Sequence, residues 1–482
     1  MNRLLRSSPA AIGGLVVATM HAAATPFEKI WRGAGRMLAA AALAATLVLP
    51  AAAQSRQAVV RDAEIEALVR EYARPILKAA GLSKSGIEIV LINDQSFNAF
   101  VAGRRIFINT GTLLQSETPN EVIGVIAHEA GHIAGHHQER LRDQIARAQT
   151  MAVVAGLLGA GAVAAAAASG EGSLAGAAGG LAMAGGEAAR RSLLSYQRGE
   201  EATADRSAIT YLEATGQSAK GMLKTFQRFQ SALSLSGARV DPYLVSHPMP
   251  RDRIANLETL AKNSRYYDKP DPPELQARHD MMRAKIAVYT AGQGAAARLF
   301  KKLPTGLAGQ YGDAMNTYLY GNLRSALQKA DALVKSNPKN PYFHELRGDV
   351  LMKSNRPAEA AKAYATAAKL DPAQSGILRI GVGQALLATG DPDSVKKAIS
   401  EINIGLERDK ENSMGYRLLA QAYGQLGDIA QAELATAEGH FYAGAYQDAK
   451  IFALRAQQRL KRGSPGWVRA QDIINYRAPK KG

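Results

Sequence analysis

Thr118-Pro-Asn-Glu-Val-Ile-Gly-Val-Ile-Ala-His128-Glu-Ala-Gly-His132 reads as a capped helix that carries its chemistry on one face. Thr118 can cap the helix, Pro119 suits a first turn that needs no backbone donor, and Glu121 completes a capping box. His128 and His132 are four residues apart, so both imidazoles can reach one metal ion while Glu129 stands beside the water bound to it. A catalytic zinc needs a third protein ligand and an open fourth position. His136, His137 and a later carboxylate are the candidates for that ligand.

A third histidine six residues after His132 would complete a metzincin pattern, but Gln138 stands there, although Gly135 fills that pattern's glycine position. Arg198-Gly-Glu-Glu201-Ala-Thr-Ala-Asp205 offers the carboxylate instead. Glu201 and Asp205 share a helical face, so Glu201 can bind the metal while Asp205 accepts a hydrogen bond from the free nitrogen of a ligating histidine. On this reading Glu200 points elsewhere, His136 sits at the rim of the site two turns beyond His128, and His137 is solvated.

Upstream, residues 62–80 have helical spacing, and Ile87 to Asn93 and Phe97 to Val101 alternate like strands. Gly103-Arg104 turns the second of these into Arg105 to Asn109, a hairpin. Its strand Phe97 to Val101, with Asn98, Ala99 and Phe100, is either a core strand or an edge that pairs with an extended substrate.

The H-E-x-x-H helix followed by Glu201-x-x-Ala-Asp205 resembles the zinc metallopeptidase family that includes the CAAX prenyl proteases. Asn98-Ala-Phe100, Gly111, Ser246-His247-Pro248 and Arg253-Ile254 match it further. The resemblance implies a mainly α, α+β zincin-type domain with a small β-sheet, and one zinc ion per chain on His128, His132 and Glu201. It implies Glu129 as the general base, His247 as the oxyanion stabiliser helped by Arg253, and His247 as a group able to fill the open position and hold the enzyme off.

Lys269-Pro-Asp-Pro-Pro273 marks a boundary, beyond which the pattern is helical. Ala326, Ala360, Ala398 and Ala432 recur at about tetratricopeptide spacing, with Gly348, Leu351, Tyr364, Ala367 and Pro372 completing the best copy and about three extra residues in a later one. Residues 269–482 therefore read as an α-helical repeat solenoid with a protein-binding face, and residues 54–268 as the metallopeptidase domain. The basic residues before Glu28 and after it, the apolar run Met37 to Pro50 and Ala51-Ala-Ala53 read as a secretory signal peptide at residues 1–53, cleaved before Gln54. Between the zinc-binding helices, the Ala/Gly-rich insert 148–188 is long enough for a span yet weakly apolar, which favours a lid or hairpin over the cleft or against a membrane.

With the leader and repeats, the resemblance implies an endopeptidase exported to the periplasm of a Gram-negative bacterium. Its implied substrates are unfolded or misassembled outer-membrane β-barrel proteins, its repeats engaging the barrel-assembly machinery, with peripheral membrane contact besides. A non-proteolytic repeat scaffold and an integral membrane metalloprotease are the alternatives. Of the formal charge of +17, most lies in residues 269–482, with 31 basic against 20 acidic side chains, which suits acidic proteins or an anionic surface. Nucleic acid is not expected as a partner, because the repeats lack interleaved aromatic platforms. With no cysteine in 482 residues, disulfides, thiolate zinc sites, catalytic thiols and acylated anchors are excluded.

Overall fold

The computed structural model describes residues 59–169, 172–235, 247, 251–300 and 306–478, so the expected signal peptide lies outside the described residues. A four-stranded sheet has the order β1 (Val59–Val60), β2 (Glu88–Ile92), β4 (Arg105–Asn109), β3 (Ala99–Ala102). β3 and β4 form the expected antiparallel hairpin, with Phe100 opposite Phe107, and their rings stack at 4.9 Å. β2 runs parallel to β4, from Glu88 beside Arg105 to Ile92 beside Asn109. β3 is thereby left at the edge.

Helix α1 (Ala63–Ala79) is capped by Asp62, which accepts from the Ile65 amide at 2.9 Å, and buries Leu68, Val69, Tyr72 and Ile76. The short α2 (Thr110–Gln115) leads into α3 (Pro119–Ala134), the helix of the quoted stretch. Pro119 does start it, but the capping box does not form. Glu121 is fully buried and drawn into ion pairs with Arg228, at 2.8 Å, and Lys224, at 3.1 Å. The Thr118 side chain makes no cap bond, and the free Asn120 amide is bonded by Asp271 at 3.0 Å, so the connector caps this helix from outside.

α4 (His137–Ser169) and α5 (Gly172–Ala214) follow as a long helical hairpin that includes the Ala/Gly-rich insert. Met151, Val153, Val154, Leu157 and Leu158 are exposed on α4. Among the described residues no helix is long and apolar enough to cross a membrane. α6 (Lys220–Leu235) and α7 (Arg251–Lys262) complete the core around α3. Gly131 lets α5 approach closely: a methyl group there would stand 3.0 Å from the Ala204 carbonyl.

α8 (Pro273–Phe300), broken at Gly292, leads into paired helices. These are α9 (Leu307–Tyr320) with α10 (Leu323–Ser336), α11 (Pro341–Lys353) with α12 (Pro357–Leu370), α13 (Gly376–Leu387) with α14 (Pro392–Arg408), α15 (Ser413–Gln425) with α16 (Ile429–Tyr442), and α17 (Tyr446–Arg459) with α18 (Pro465–Asn475). Ala326, Ala360 and Ala398 are fully buried, whereas Ala432 is partly exposed. Ala360 lies three residues after the start of α12, but Ala398 six after the start of α14. The extra residues in that copy are an added first turn. Gly348 packs on the Tyr364 ring, where a methyl group would meet it at 2.7 Å.

Helix α1 meets the paired helices through a buried charge cluster. Lys285 of α8 lies 2.7 Å from Asp62, 3.3 Å from Glu64 and 3.6 Å from Glu345 of α11, and Tyr311 donates to Glu64 at 2.8 Å. Burial and neighbouring carboxylates push Glu345 up to about 8 and Asp349 up to about 6, against the pull of Lys285.

Candidate metal centre

Four side chains from three places in the chain converge. His128 and His132 point from α3, Glu201 from α5, and His247 from the segment before α7, all buried. Their donor atoms lie within 4.8 Å of one another. His128 Nε2 is 3.0 Å from His132 Nε2 and 3.3 Å from Glu201 Oε2, and His132 Nε2 is 3.3 Å from Glu201 Oε1. His247 Nδ1 is 3.3 Å from His128 Nε2 and 3.1 Å from either Glu201 oxygen. A tetrahedron with bonds of about 2.0–2.1 Å has edges of about 3.3 Å, so this donor set fits one small divalent ion.

The surroundings favour positive charge. Burial opposes a charged His128, yet the pull of the Asp205 and Glu201 carboxylates, which accept from the imidazole, outweighs it and raises His128 to about 9, whereas burial lowers His132. Burial also works against an ionised Glu201, but His247, His128 and His132 hold its carboxyl well below the usual range. His128 Nδ1 lies 3.0 Å from Asp205 Oδ1, on the side away from the cluster, which its Nε2 faces.

Glu129 follows His128 on α3 and is fully buried. Neither carboxylate oxygen has a hydrogen-bond partner, and His247 Nε2, at 3.5 Å, is a loose neighbour. A cavity of about 320 Å³ opens beside it, lined by Asn98, Phe100, Glu129, Gln138, Tyr196 and His247 among others. A buried ionisable group left unpaired at the wall of a cavity beside a cation site is the arrangement that water-activating carboxylates require.

Residues 60–261 match peptidase family M48, and residues 321–375 and 347–394 match the tetratricopeptide repeat. The chain is similar to the beta-barrel assembly-enhancing protease of Escherichia coli (strain K12), 25% identical over 84% of this chain and 81% of that one. It is also similar to the protein of that name from Yersinia pestis, 24% identical over 84% and 82%, and to a putative one from Vibrio cholerae, 27% identical over 85% and 83%. The chain is a metalloprotease. The match to peptidase family M48 and the buried histidine and glutamate cluster together imply a metal ion.

In this metalloprotease the residues anticipated from sequence do not all lie where expected. Arg253 is turned away from the cavity: it donates to Glu201 Oε2 at 2.8 Å and grips Asp205 at 2.5 and 2.9 Å, with its guanidinium over the Phe226 ring. His136, read as a rim residue, is exposed and pairs with Glu139 at 3.0 Å. His137, read as solvated, is the buried one, and Glu200, read as pointing elsewhere, lies 3.1 Å from it. The one-residue exchange comes from the break between α3 and α4, where the helical phase used to place both histidines is lost. On the sheet edge, the Asn98 backbone bonds inward to Thr112 and Asn109, leaving the backbone groups of Ala99, Val101 and Gly103 to face outward while the Ala99 and Val101 side chains are buried. The Gln138 amide already occupies part of that edge, donating to the Val101 carbonyl and accepting from Gly103 N at 3.1 Å.

Proposed function

We propose that the chain is a zinc endopeptidase, with His128, His132 and Glu201 as ligands and Glu129 as general base. The unpartnered, fully buried Glu129 carboxylate beside the four-donor cluster carries this reading. Bound zinc would supply Lewis-acid polarisation of the attacking water and the peptide carbonyl. Glu129 takes the proton of that water and delivers it to the departing amine. Asp205 orients His128, and Arg253 holds Glu201 and Asp205 in place, a role different from the oxyanion contact expected of it. His247 sits at the fourth corner of the donor set, so this is a shut arrangement, and on swinging out the imidazole is placed to meet the oxyanion. The Ala99, Val101 and Gly103 edge of β3 would pair with an extended substrate, with Phe100 at the cavity wall.

The substrates we infer are unfolded or misassembled outer-membrane proteins in the periplasm, after removal of a signal peptide near Ala53. The relatives' name and the repeats support this, the repeats serving as the platform for substrates or for the barrel-assembly machinery. The α4–α5 hairpin, with its exposed apolar residues, is the element we assign to covering the cleft or touching the membrane surface. The domain limits are taken as 1–53, 54–268 and 269–482.

Glu129→Gln tests the core of this reading. It should bind zinc with unchanged stoichiometry and lose cleavage of an unfolded protein by a factor of about 10²–10⁴. Cleavage at the wild-type rate would sink the assignment. His247→Ala should alter basal cleavage in one direction or the other, and an unchanged rate and unchanged restraint would remove His247 from both roles.

A further inference from the structure

His128 has an orienting partner in Asp205; His132 has a different one, built from a residue with no assigned task. His132 Nδ1 lies 2.9 Å from His137 Nδ1, both rings are buried, and they meet edge to face at 4.9 Å. His137 Nε2 lies 3.1 Å from Glu200 Oε2, and Arg140 donates to that same oxygen at 2.7 Å. The proton order is determined by chemistry. If His132 offers Nε2 to the metal, its Nδ1 carries the hydrogen and donates, so His137 accepts through Nδ1 and carries its own hydrogen on Nε2, the nitrogen on the Glu200 side.

The backbone is shaped for this contact. His136 is in the left-handed region at φ 53, a conformation that costs a non-glycine residue of order 1 kcal/mol, and it reverses the chain so that His137 folds back over the end of α3. A methyl group on Gly135 would collide with the His137 ring at Nε2 and Cδ2, so glycine is what leaves the ring its place. The signal visible in sequence was the Gly135-His136-His137 triplet just past the second ligand, a helix terminator followed by two imidazoles.

We propose that His137 is a positioning residue of the metal centre: with Glu200 and Arg140 behind it, it holds the tautomer and ring plane of His132. The inference rests on the reading of His132 as a ligand. It is tested with the full mature chain by competition of zinc against a chelating dye and by the visible spectrum of the cobalt-substituted protein. His137→Leu should weaken zinc by about 10–100-fold and shift the cobalt bands, because an orienting hydrogen bond is lost. His137→Asn, whose side-chain oxygen stands near the position of Nδ1, should keep zinc affinity within about threefold, since it restores the acceptor. Gly135→Ala displaces the ring while retaining it, and should resemble His137→Leu even if the latter fails to fold. Wild-type affinity and spectrum in both His137→Leu and Gly135→Ala would overturn the inference. A wild-type protein that takes up neither zinc nor cobalt would overturn the metal-centre reading, and this one with it.

Discussion

Arg253→Met separates a clamp from a transition-state group. The guanidinium is 3% exposed and supplies a 2.8 Å contact to Glu201 and two contacts, at 2.5 and 2.9 Å, to Asp205. Methionine keeps much of the apolar stem and removes the cation, leaving two buried carboxylates side by side on one face of α5. Breaking a buried pair in this way costs about 3–5 kcal/mol, against a total stability of about 5–15 kcal/mol for a folded domain. In the metal-free protein the melting temperature should therefore fall by about 10 °C. Zinc affinity should fall with it by about 10–100-fold, because Glu201 and the Asp205 that orients His128 both lose their anchor. Thermal unfolding by circular dichroism and zinc competition against a chelating dye read the two effects. A group that met only the developing oxyanion would behave otherwise, with kcat reduced by about 10²–10³ at unchanged stability and zinc affinity. That outcome would refute the clamp and restore Arg253 to the cavity.

Gln138→Ala removes the amide that covers the Val101 and Gly103 edge, so KM for an extended, unfolded substrate should fall by a few-fold with little change in kcat; a raised KM would show that Gln138 holds substrate instead. Glu345→Gln should act through pH. Glu345 is raised to about 8 in the folded chain from an ordinary value of 4.5, so its contribution is fully present below about 4.5 and is lost as pH rises through about 8. The variant should be no more stable than wild type near pH 5 and more stable near pH 8 in thermal melts, and parallel pH profiles for the two would refute the buried-acid reading of the Lys285 cluster.

The parts of this molecule legible in sequence are those whose partners are close along the chain or repeat with a period. His128, Glu129 and His132 share a helical face, Glu201 and Asp205 share another, and both faces meet because the small residues Gly131 and Ala204 let the helices touch. Gly103 at φ 61 makes the β3–β4 hairpin visible, and three of the four repeat alanines are buried. Periodicity carried no information across breaks. The capping box at Thr118 does not form: Glu121 reaches back past Thr118 to the Glu117 amide at 3.2 Å, and Arg228 and Lys224, about a hundred residues away, hold the same carboxylate.

The exchange of His136 for His137 shows the same limit at the site itself. Extrapolating the α3 phase past Gly135 puts His136 on the face of His128, and it would be right if the helix continued. A glycine at the helix end makes termination the better expectation, and one left-handed residue then moves the next side chain to the opposite side. Arg253 differs in kind. Its sequence neighbourhood announces an arginine near the site but not which side of Glu201 it approaches. That side is set by the packing of α7 against α5, where Asp205, one helical turn beyond Glu201, presents a second carboxylate to the same guanidinium. With a cation gripping two buried carboxylates, turning the arginine into the cavity would strand both, and that electrostatic cost is what assigns it to the metal centre's frame.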